Sequence, residues 1–310
     1  MKEILIFSIL LFTIHIGYGQ KIPSRIDSIS SKEDVEKLIR SFDKDYKRFS
    51  LKPITEFTSR NEGNEFCNKI ADSLDITKSF YKSDFDNNGY TDLLAIGYYY
   101  GFKIFVVMNY GKDSLKLNSL TRRSFQECTF PKIINDTIIR YYNMSRPNWR
   151  TSDKAKSLQF SDLIFRYGDF IEYNMNPKNY SIEKIEYQTT MCYGTCPKFF
   201  LSIDKNKAAI FKAEAYNRDA NDGKEIKGTF STIIEEKQFL EIISLLNYID
   251  FPSLKDNYAV SWTDDQTSIL TVTYNNGQVK KIQDYGLIGT YGLDKLYQML
   301  FNLRNNQKWK

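Results

Sequence analysis

Residues 268–283, SILTVTYNNGQVKKIQ, give the clearest indication of the fold in this chain. Two strand-like stretches, 268–274 and 278–283, are joined at Asn276-Gly277. Asn-Gly is strongly favoured in tight turns between antiparallel strands, because both residues accept a positive φ. The stretch therefore predicts a β-hairpin, and the elements on either side of it are interpreted as parts of the same domain.

The elements around the hairpin predict a domain at about 180–310 that combines strands with helices. A helix at 235–246 precedes the hairpin and a helix at 291–304 follows it, each with large apolar residues on one face. Further strands are predicted upstream of the hairpin, at 182–188, 198–203, 208–213 and 227–232.

The first half of the chain predicts a helix followed by a β-meander. Ser30 can cap a helix through Glu33 three residues later, and that helix is expected to run to about Phe49. A second, weaker helix is predicted at 65–74. Strands are then expected around Tyr81 and at 92–99, 103–109, 124–130, 137–142, 163–167 and 170–173.

Residues 174–180, NMNPKNY, have the composition of a linker between the two halves. The sequence thus predicts a domain at 20–175 and a second at 180–310. The expected fold class is α+β, with two domains of mostly antiparallel sheet and a few packed helices.

Residues 1–19, MKEILIFSILLFTIHIGYG, predict a secretory signal peptide. Lys2 precedes a hydrophobic stretch at 4–16, and Gly17 and Gly19 are the small residues expected before a cleavage site. We therefore expect a periplasmic or secreted protein with no transmembrane segment after cleavage. The apolar stretch at 93–111 contains Lys103 and internal glycines, and is interpreted as two strands.

Composition excludes several classes of function. The 310 residues include 43 Lys and Arg against 38 Asp and Glu, and a net charge of +5 over this length does not indicate nucleic-acid binding. The single histidine, His15, lies in the predicted signal peptide, so the mature protein is expected to have no imidazole. This excludes Ser-His-Asp and Cys-His hydrolases and zinc sites that use histidine.

The segment 84–94, DFDNNGYTDLL, has the pattern of a calcium loop. Asp84, Asp86 and Asn88 place oxygen ligands at alternate positions, Tyr90 offers its carbonyl, and Asp92 closes the loop where a strand begins. Gly89 permits the tight turn. Hard oxygen ligands on a flexible loop favour Ca²⁺, although the same residues also suit a polar β-turn that satisfies only its own backbone.

The loop resembles those of the integrin-type propeller repeats, also called FG-GAP or VCBS repeats. These carry D-x-D-x-N/D-G-x-x-D-L before a strand, whereas an EF-hand needs a Glu where this chain has Ala95. The resemblance implies that Asp84, Asp86, Asn88 and Asp92 are side-chain ligands. Because the chain has the loop once and those families repeat it, no propeller is implied.

Residues 191–197, MCYGTCP, contain two of the four cysteines. Gly194 and Pro197 supply the turn that lets Cys192 and Cys196 approach each other, and a disulfide between them is favoured in an exported protein. Cys67 and Cys128 would then pair in the first half, although sequence alone leaves three connectivities open. The alternative is a redox dithiol, for which the spacing would normally be C-x-x-C.

The second half, from 182 to about 304, resembles an uncharacterised family of bacterial secreted domains with a C-x-G-x-C-P motif after the first strand. The matching residues are Cys192, Gly194, Cys196 and Pro197, then Thr263 and Asp264, then Asp284-Tyr285-Gly286. The resemblance implies a location and a fold type, because that family has no assigned activity.

Three acidic residues, Asp264, Asp265 and Asp284, could be brought together by the hairpin. A carboxylate pair is the minimum for glycoside hydrolysis, although Asp is also a common turn residue. We expect a non-enzymatic binding or envelope-associated module whose partner is a protein or a glycan. The alternatives are a histidine-independent hydrolase using Asp264 and Asp284, and a thiol-disulfide protein using Cys192 and Cys196.

Overall fold

The structure is a computed structural model that describes residues 22–52, 64–112, 114–122, 127–144, 158–219 and 222–310, without the side chains of 64–66 and 127–128. The predicted signal peptide at 1–19 lies outside these residues. Before residue 175 the described residues form two α-helices and nine strands: α1 Lys32–Arg40, β1 Ser50–Leu51, α2 Asn64–Ser73, β2 Phe80–Ser83, β3 Asp92–Tyr98, β4 Phe102–Asn109, β5 Leu115–Ser119, β6 Glu127–Asn135, β7 Ile138–Met144, β8 Leu158–Arg166 and β9 Asp169–Glu172.

These strands form two antiparallel sheets. In the first, β4 pairs with β3 and β5, and the far edge of β3 pairs with both β1 and β2. The second follows chain order, β6-β7-β8-β9.

The remaining elements form a seven-stranded sheet with two helices. Its strand order is β13-β12-β11-β10-β15-β16-β14, and all neighbours are antiparallel except β14 and β16. The elements are β10 Ile182–Thr189, β11 Lys198–Asp204, β12 Ala208–Arg218, β13 Glu225–Ile233, α3 Glu236–Tyr248, β14 Asn257–Ala259, β15 Thr267–Tyr274, β16 Gln278–Tyr285 and α4 Tyr291–Asn306. The described residues thus form mostly antiparallel sheet with four helices, as predicted.

Alternating side chains on β3 belong to two separate cores. Leu93 and Ala95 pack with α1 on one face of the first sheet, whereas Leu94 and Ile96 face the second sheet. This follows from the two-residue period of a strand, and a strand apolar on both faces must be covered on both.

The second sheet lies between the first sheet and the C-terminal elements. Phe170 of β9 belongs to the core shared with β3 and β4, while its neighbour Ile171 packs into the core of the seven-stranded sheet. The two halves of the chain are therefore in extensive contact, and the division at 175–180 stays a prediction.

Polar contacts join the two halves at the start of α4. The side chain of Arg122 donates to the carbonyls of Gly289 and Leu287, and its guanidinium lies 4.8 Å from the ring centre of Tyr291. The carboxylate of Glu172 accepts the N–H groups of Tyr291 at 2.6 Å and Gly292 at 2.8 Å. A carboxylate on the first N–H groups of a helix is stabilised by the helix dipole.

The first helix differs from the prediction at both ends. Ser31 is its N-cap, not Ser30, and forms a reciprocal capping box with Asp34 that also lowers the pKa of this carboxyl. The helix ends at Arg40 rather than near Phe49, because Asp43 starts a separate 3₁₀ turn. The Arg40 side chain then donates to the Phe49 carbonyl and holds the chain reversal.

Three short strands were not predicted, namely β1, β5 and β14. They have two, five and three residues, so their own pattern is weak, and each is defined by pairing with a longer neighbour. The predicted hairpin at 268–283 is present, although its turn has three residues, Asn275, Asn276 and Gly277, all with positive φ. No helix among the described residues has the length and hydrophobicity needed to cross a membrane.

Candidate metal centre

The predicted calcium loop connects β2 to β3. Ser83 ends β2 and pairs with Asp92, the first residue of β3, so the loop at 84–91 closes a hairpin. Asn87 and Gly89 both have positive φ, and Phe85 is buried in the core between the two sheets. The turn is thus fixed both by its backbone and by a buried aromatic anchor.

The loop brings three of the predicted ligand residues together. One carboxylate oxygen from each of Asp84, Asp86 and Asp92 lies within 4.8 Å of the other two. Oxygens that bind the same Ca²⁺ at 2.3–2.6 Å are at most about 5 Å apart. These three carboxylates therefore fit a single ion of this size.

Asp92 is the buried member of the cluster, with no exposed surface. Its two oxygens accept the N–H groups of Phe85 at 2.8 Å and Asn109 at 2.7 Å. Burial raises the pKa of Asp92 to about 7, and the nearby charges of Asp86 and Asp84 act in the same direction. The pKa of Asp86 is also raised, mainly by burial.

The other two predicted ligands are the side chain of Asn88 and the carbonyl of Tyr90, and the side chains of both residues make contacts of their own. The Oδ1 of Asn88 accepts the N–H of Tyr90 at 2.8 Å, and its Nδ2 donates to Asp86 Oδ2 at 3.1 Å and to the carbonyl of Asn109 at 2.8 Å. In this conformation Asn88 shapes the loop. The ring of Tyr90 packs against Gly111, where an added Cβ would lie 2.4 Å from the ring.

Asn109 is a site residue that the sequence interpretation missed. It is buried at the end of β4, and besides its bonds to Asp92 and Asn88 it donates to the carbonyl of Thr91 and accepts from the N–H of Gly111. Nothing in the local pattern distinguishes it, because its role depends on how β4 aligns with β3.

Cys192 and Cys196 form the predicted disulfide, with their Cα atoms 5.6 Å apart. Hydrogen bonds also hold the loop at 191–197, independently of the disulfide. Thr189 Oγ1 and Gln266 Nε2 both donate to the carbonyl of Pro197, at 2.7 and 2.9 Å. The loop carries Tyr193, whose side chain is 90% exposed. Cys67 is also in a disulfide, and the side chain of its predicted partner Cys128 lies outside the described residues.

Each of the three C-terminal carboxylates, Asp264, Asp265 and Asp284, accepts hydrogen bonds from different partners. Asp264 is exposed, has a positive φ and accepts from the hydroxyl of Thr263, while Asp265 accepts the indole N–H of Trp262 at 2.8 Å. Asp284 is only 1% exposed.

Asp284 binds the chain that leads into α4. Its oxygens accept the N–H groups of Ile288 at 2.8 Å and Gly289 at 2.9 Å. Burial raises its pKa, and the charges that act on it most strongly are Arg122 and Asp294, which lie outside the hairpin. Its contacts are those of a loop anchor.

Comparison with known proteins gives one finding about the second half of the chain. No curated protein and no solved structure was found to match the chain. Residues 183–304, from β10 to within α4, match the model of the family described as a domain of unknown function, DUF6438.

Proposed function

We propose that the protein is an exported, non-enzymatic binding or envelope-associated module of two domains, at 20–175 and 180–310, in which the loop at 84–92 holds one structural Ca²⁺. The observation that carries the proposal is the set of three carboxylates from Asp84, Asp86 and Asp92 within 4.8 Å. All three are hard oxygen donors, which Ca²⁺ prefers.

Electrostatics support a cation at this position. Two of the three carboxyl groups have raised pKa values, mainly because burial disfavours their charged form and to a smaller extent because neighbouring carboxylates repel them, so holding them ionised here costs free energy. Among the described residues, no Lys or Arg forms an ion pair with Asp84, Asp86 or Asp92. A divalent cation would neutralise most of this charge.

The position of the loop supports a structural role for the ion. Asp92 is bonded to Asn109 of β4, and the carbonyl of Gly89 accepts the N–H of Ile22, the first described residue. An ion bound to Asp84, Asp86 and Asp92 would thus fix the β2–β3 loop against both β4 and the N-terminal segment.

Export and a non-enzymatic role are supported by separate features. The Cys192–Cys196 disulfide is typical of proteins in oxidising compartments. Asp284, the strongest candidate for a catalytic acid, accepts two backbone N–H groups and anchors a loop.

The test is thermal unfolding of the chain from Gln20, in Ca²⁺ and in chelator. Binding to the folded state alone at 100 times Kd adds about 2.7 kcal/mol, which for this size raises the Tm by several degrees. We expect Asp86→Ala and the milder Asp86→Asn to lose this rise. Asp72→Ala, which removes an exposed carboxylate from α2, should keep it. A wild-type Tm that is equal in Ca²⁺ and chelator would overturn the proposal.

A further inference from the structure

A recess of about 390 Å³ lies directly beside the candidate metal centre. Its lining includes Ser24 and Arg25 from the N-terminal segment, Tyr90 from the loop, and Asn109 and Lys112 from the end of β4 and the turn after it. This volume is within the range of sites for small molecules. The recess therefore has room for a ligand of about the size of a monosaccharide.

The lining of the recess combines apolar residues, including Pro23 and Leu115, with the hydrogen-bond donors of Arg25, Lys112 and Tyr90. Among the described residues, neither Arg25 nor Lys112 forms an ion pair, and the phenol of Tyr90 has no hydrogen bond. Arginine and lysine only donate, and no acidic residue is among the lining residues that the structure describes. The ligand must therefore supply acceptors and negative charge.

The recess and the carboxylate loop share their framework. Tyr90 lies between Asn88 and Asp92 in the chain, so its backbone belongs to the loop while its ring lines the recess. The backbone N–H of Asn109 donates to Asp92 Oδ1 at 2.7 Å, and the side-chain Oδ1 of Asn109 accepts the N–H of Gly111 at 3.0 Å. A change in the loop would therefore displace residues that also line the recess.

We propose that this recess binds an acidic sugar, with its carboxylate on Arg25 and Lys112, and that binding requires Ca²⁺ in the adjacent loop. The calcium requirement rests on the function proposed above. Without the ion, the charges of Asp84, Asp86 and Asp92 repel an anion in the recess, whereas bound Ca²⁺ offsets most of that repulsion and holds Tyr90 and Asn109 in place.

Calorimetric titration of the calcium-loaded chain with galacturonate tests the proposal. Galactose has the same ring with a hydroxymethyl group in place of the carboxylate, and should bind at least tenfold more weakly. Sulfate supplies a charge without a sugar, and should also bind at least tenfold more weakly than galacturonate. Sulfate that binds as tightly as galacturonate would overturn the assignment of a sugar.

Variants locate the site. We expect the double variant Arg25→Gln, Lys112→Gln to lose at least tenfold in affinity for galacturonate while keeping the calcium-dependent rise in Tm. The matched control Lys178→Gln, Lys205→Gln removes two exposed charges elsewhere and should bind as the wild type does. Equal losses in both double variants would overturn the assignment of the recess.

The two proposals can fail separately. A calcium-dependent rise in Tm without galacturonate binding overturns the acidic-sugar site and leaves the metal centre. Galacturonate binding that is equal in calcium and chelator, and is lost in the Arg25, Lys112 double variant, overturns the calcium requirement and leaves the recess.

Discussion

The backbone N–H of Asn109 donates to the Oδ1 of Asp92 across 2.7 Å, although 17 residues separate them in the chain. This contact joins the end of β4 to the start of β3. The N–H of Asn109 is one of two N–H groups that bind the most buried carboxylate of the candidate metal centre. The protonation state of that carboxylate therefore affects the stability of the sheet.

The first prediction concerns the pH dependence of the metal-free protein. The pKa of Asp92 is raised to about 7 in the folded state, above its value of about 3.8 when exposed, so the folded state holds the proton more tightly. Stability must then fall as pH rises from about 4 through about 7. Between pH 5 and pH 8 we expect a loss on the order of 1–3 kcal/mol from this group.

Urea unfolding in chelator at pH 5 and pH 8 measures this loss, with Asp92→Asn as the comparison. The side chain of Asn at position 92 is uncharged at both pH values. The free energy of unfolding of this variant should therefore change less between pH 5 and pH 8 than that of the wild type. Identical pH dependence in the two proteins would show that Asp92 is not the responsible group.

The longer strands and the four helices were predictable because their signals are local, whereas the short strands β1, β5 and β14 were not. Asn276-Gly277 encodes its own turn, and the apolar face of α4 is visible in its leucines. The cap of α1 was misplaced by one residue because Ser30 and Ser31 are adjacent and the choice depends on whether Glu33 or Asp34 reaches back. Such a local pattern does not decide between two adjacent caps.

The candidate site was only partly predictable, for a different reason. The carboxylates of Asp84, Asp86 and Asp92 lie close together in sequence, and their spacing alone indicated that they would converge. Asn109 and Arg25 come from other parts of the chain and join the site through the pairing of β4 and the course of the N-terminal segment. No local pattern contains that information.

The second prediction concerns the contact between the two halves. Arg122 is nearly buried, donates to the carbonyls of Gly289 and Leu287, and stacks on Tyr291. Arg122→Ala leaves these carbonyls without a donor, so we expect a loss of about 2–4 kcal/mol in the free energy of unfolding.

Arg140→Ala is the matched control for the Arg122 variant. Arg140 makes two hydrogen bonds to Asp162, of 2.7 and 2.8 Å, and lies 4.5 Å from the ring centre of Phe160, but both side chains of the pair are about 30% exposed, so we expect a smaller loss, about 1 kcal/mol. Urea unfolding of both variants gives the comparison. Equal losses would contradict a special role for Arg122.

The third prediction concerns the disulfide between Cys192 and Cys196. It closes a loop of five residues, so the chain-entropy model gives it only about 2 kcal/mol. Pro197 is also held by Thr189 and Gln266. We therefore expect Cys192→Ser, Cys196→Ser to remain folded, with its far-UV circular dichroism unchanged and a modest loss of stability. Complete unfolding of this variant would show that the bridge holds the whole domain together.

The last prediction concerns Asp284, the residue that a hydrolase mechanism would need. In the structure its oxygens accept the N–H groups of Ile288 and Gly289, which leads the chain into α4. Asp284→Ala removes the acceptor of the buried N–H of Gly289 and of the partly buried N–H of Ile288, and we expect it to cost about 2–4 kcal/mol. Asp284→Asn keeps one acceptor oxygen and should cost less.

A variant at Gly289, which donates its N–H to Asp284, tests whether Asp284 anchors this loop. A Cβ added at Gly289 would lie 2.7 Å from Asp284 Oδ2, so Gly289→Ala must displace the carboxylate or the loop. If Asp284 is an anchor, Asp284→Ala should make the additional Gly289→Ala change less costly, because only the clash with the end of the Leu293 side chain, at 2.8 Å, then remains. Double-mutant analysis by urea unfolding measures this coupling, and strictly additive losses would show that the carboxylate does not hold the loop through Gly289.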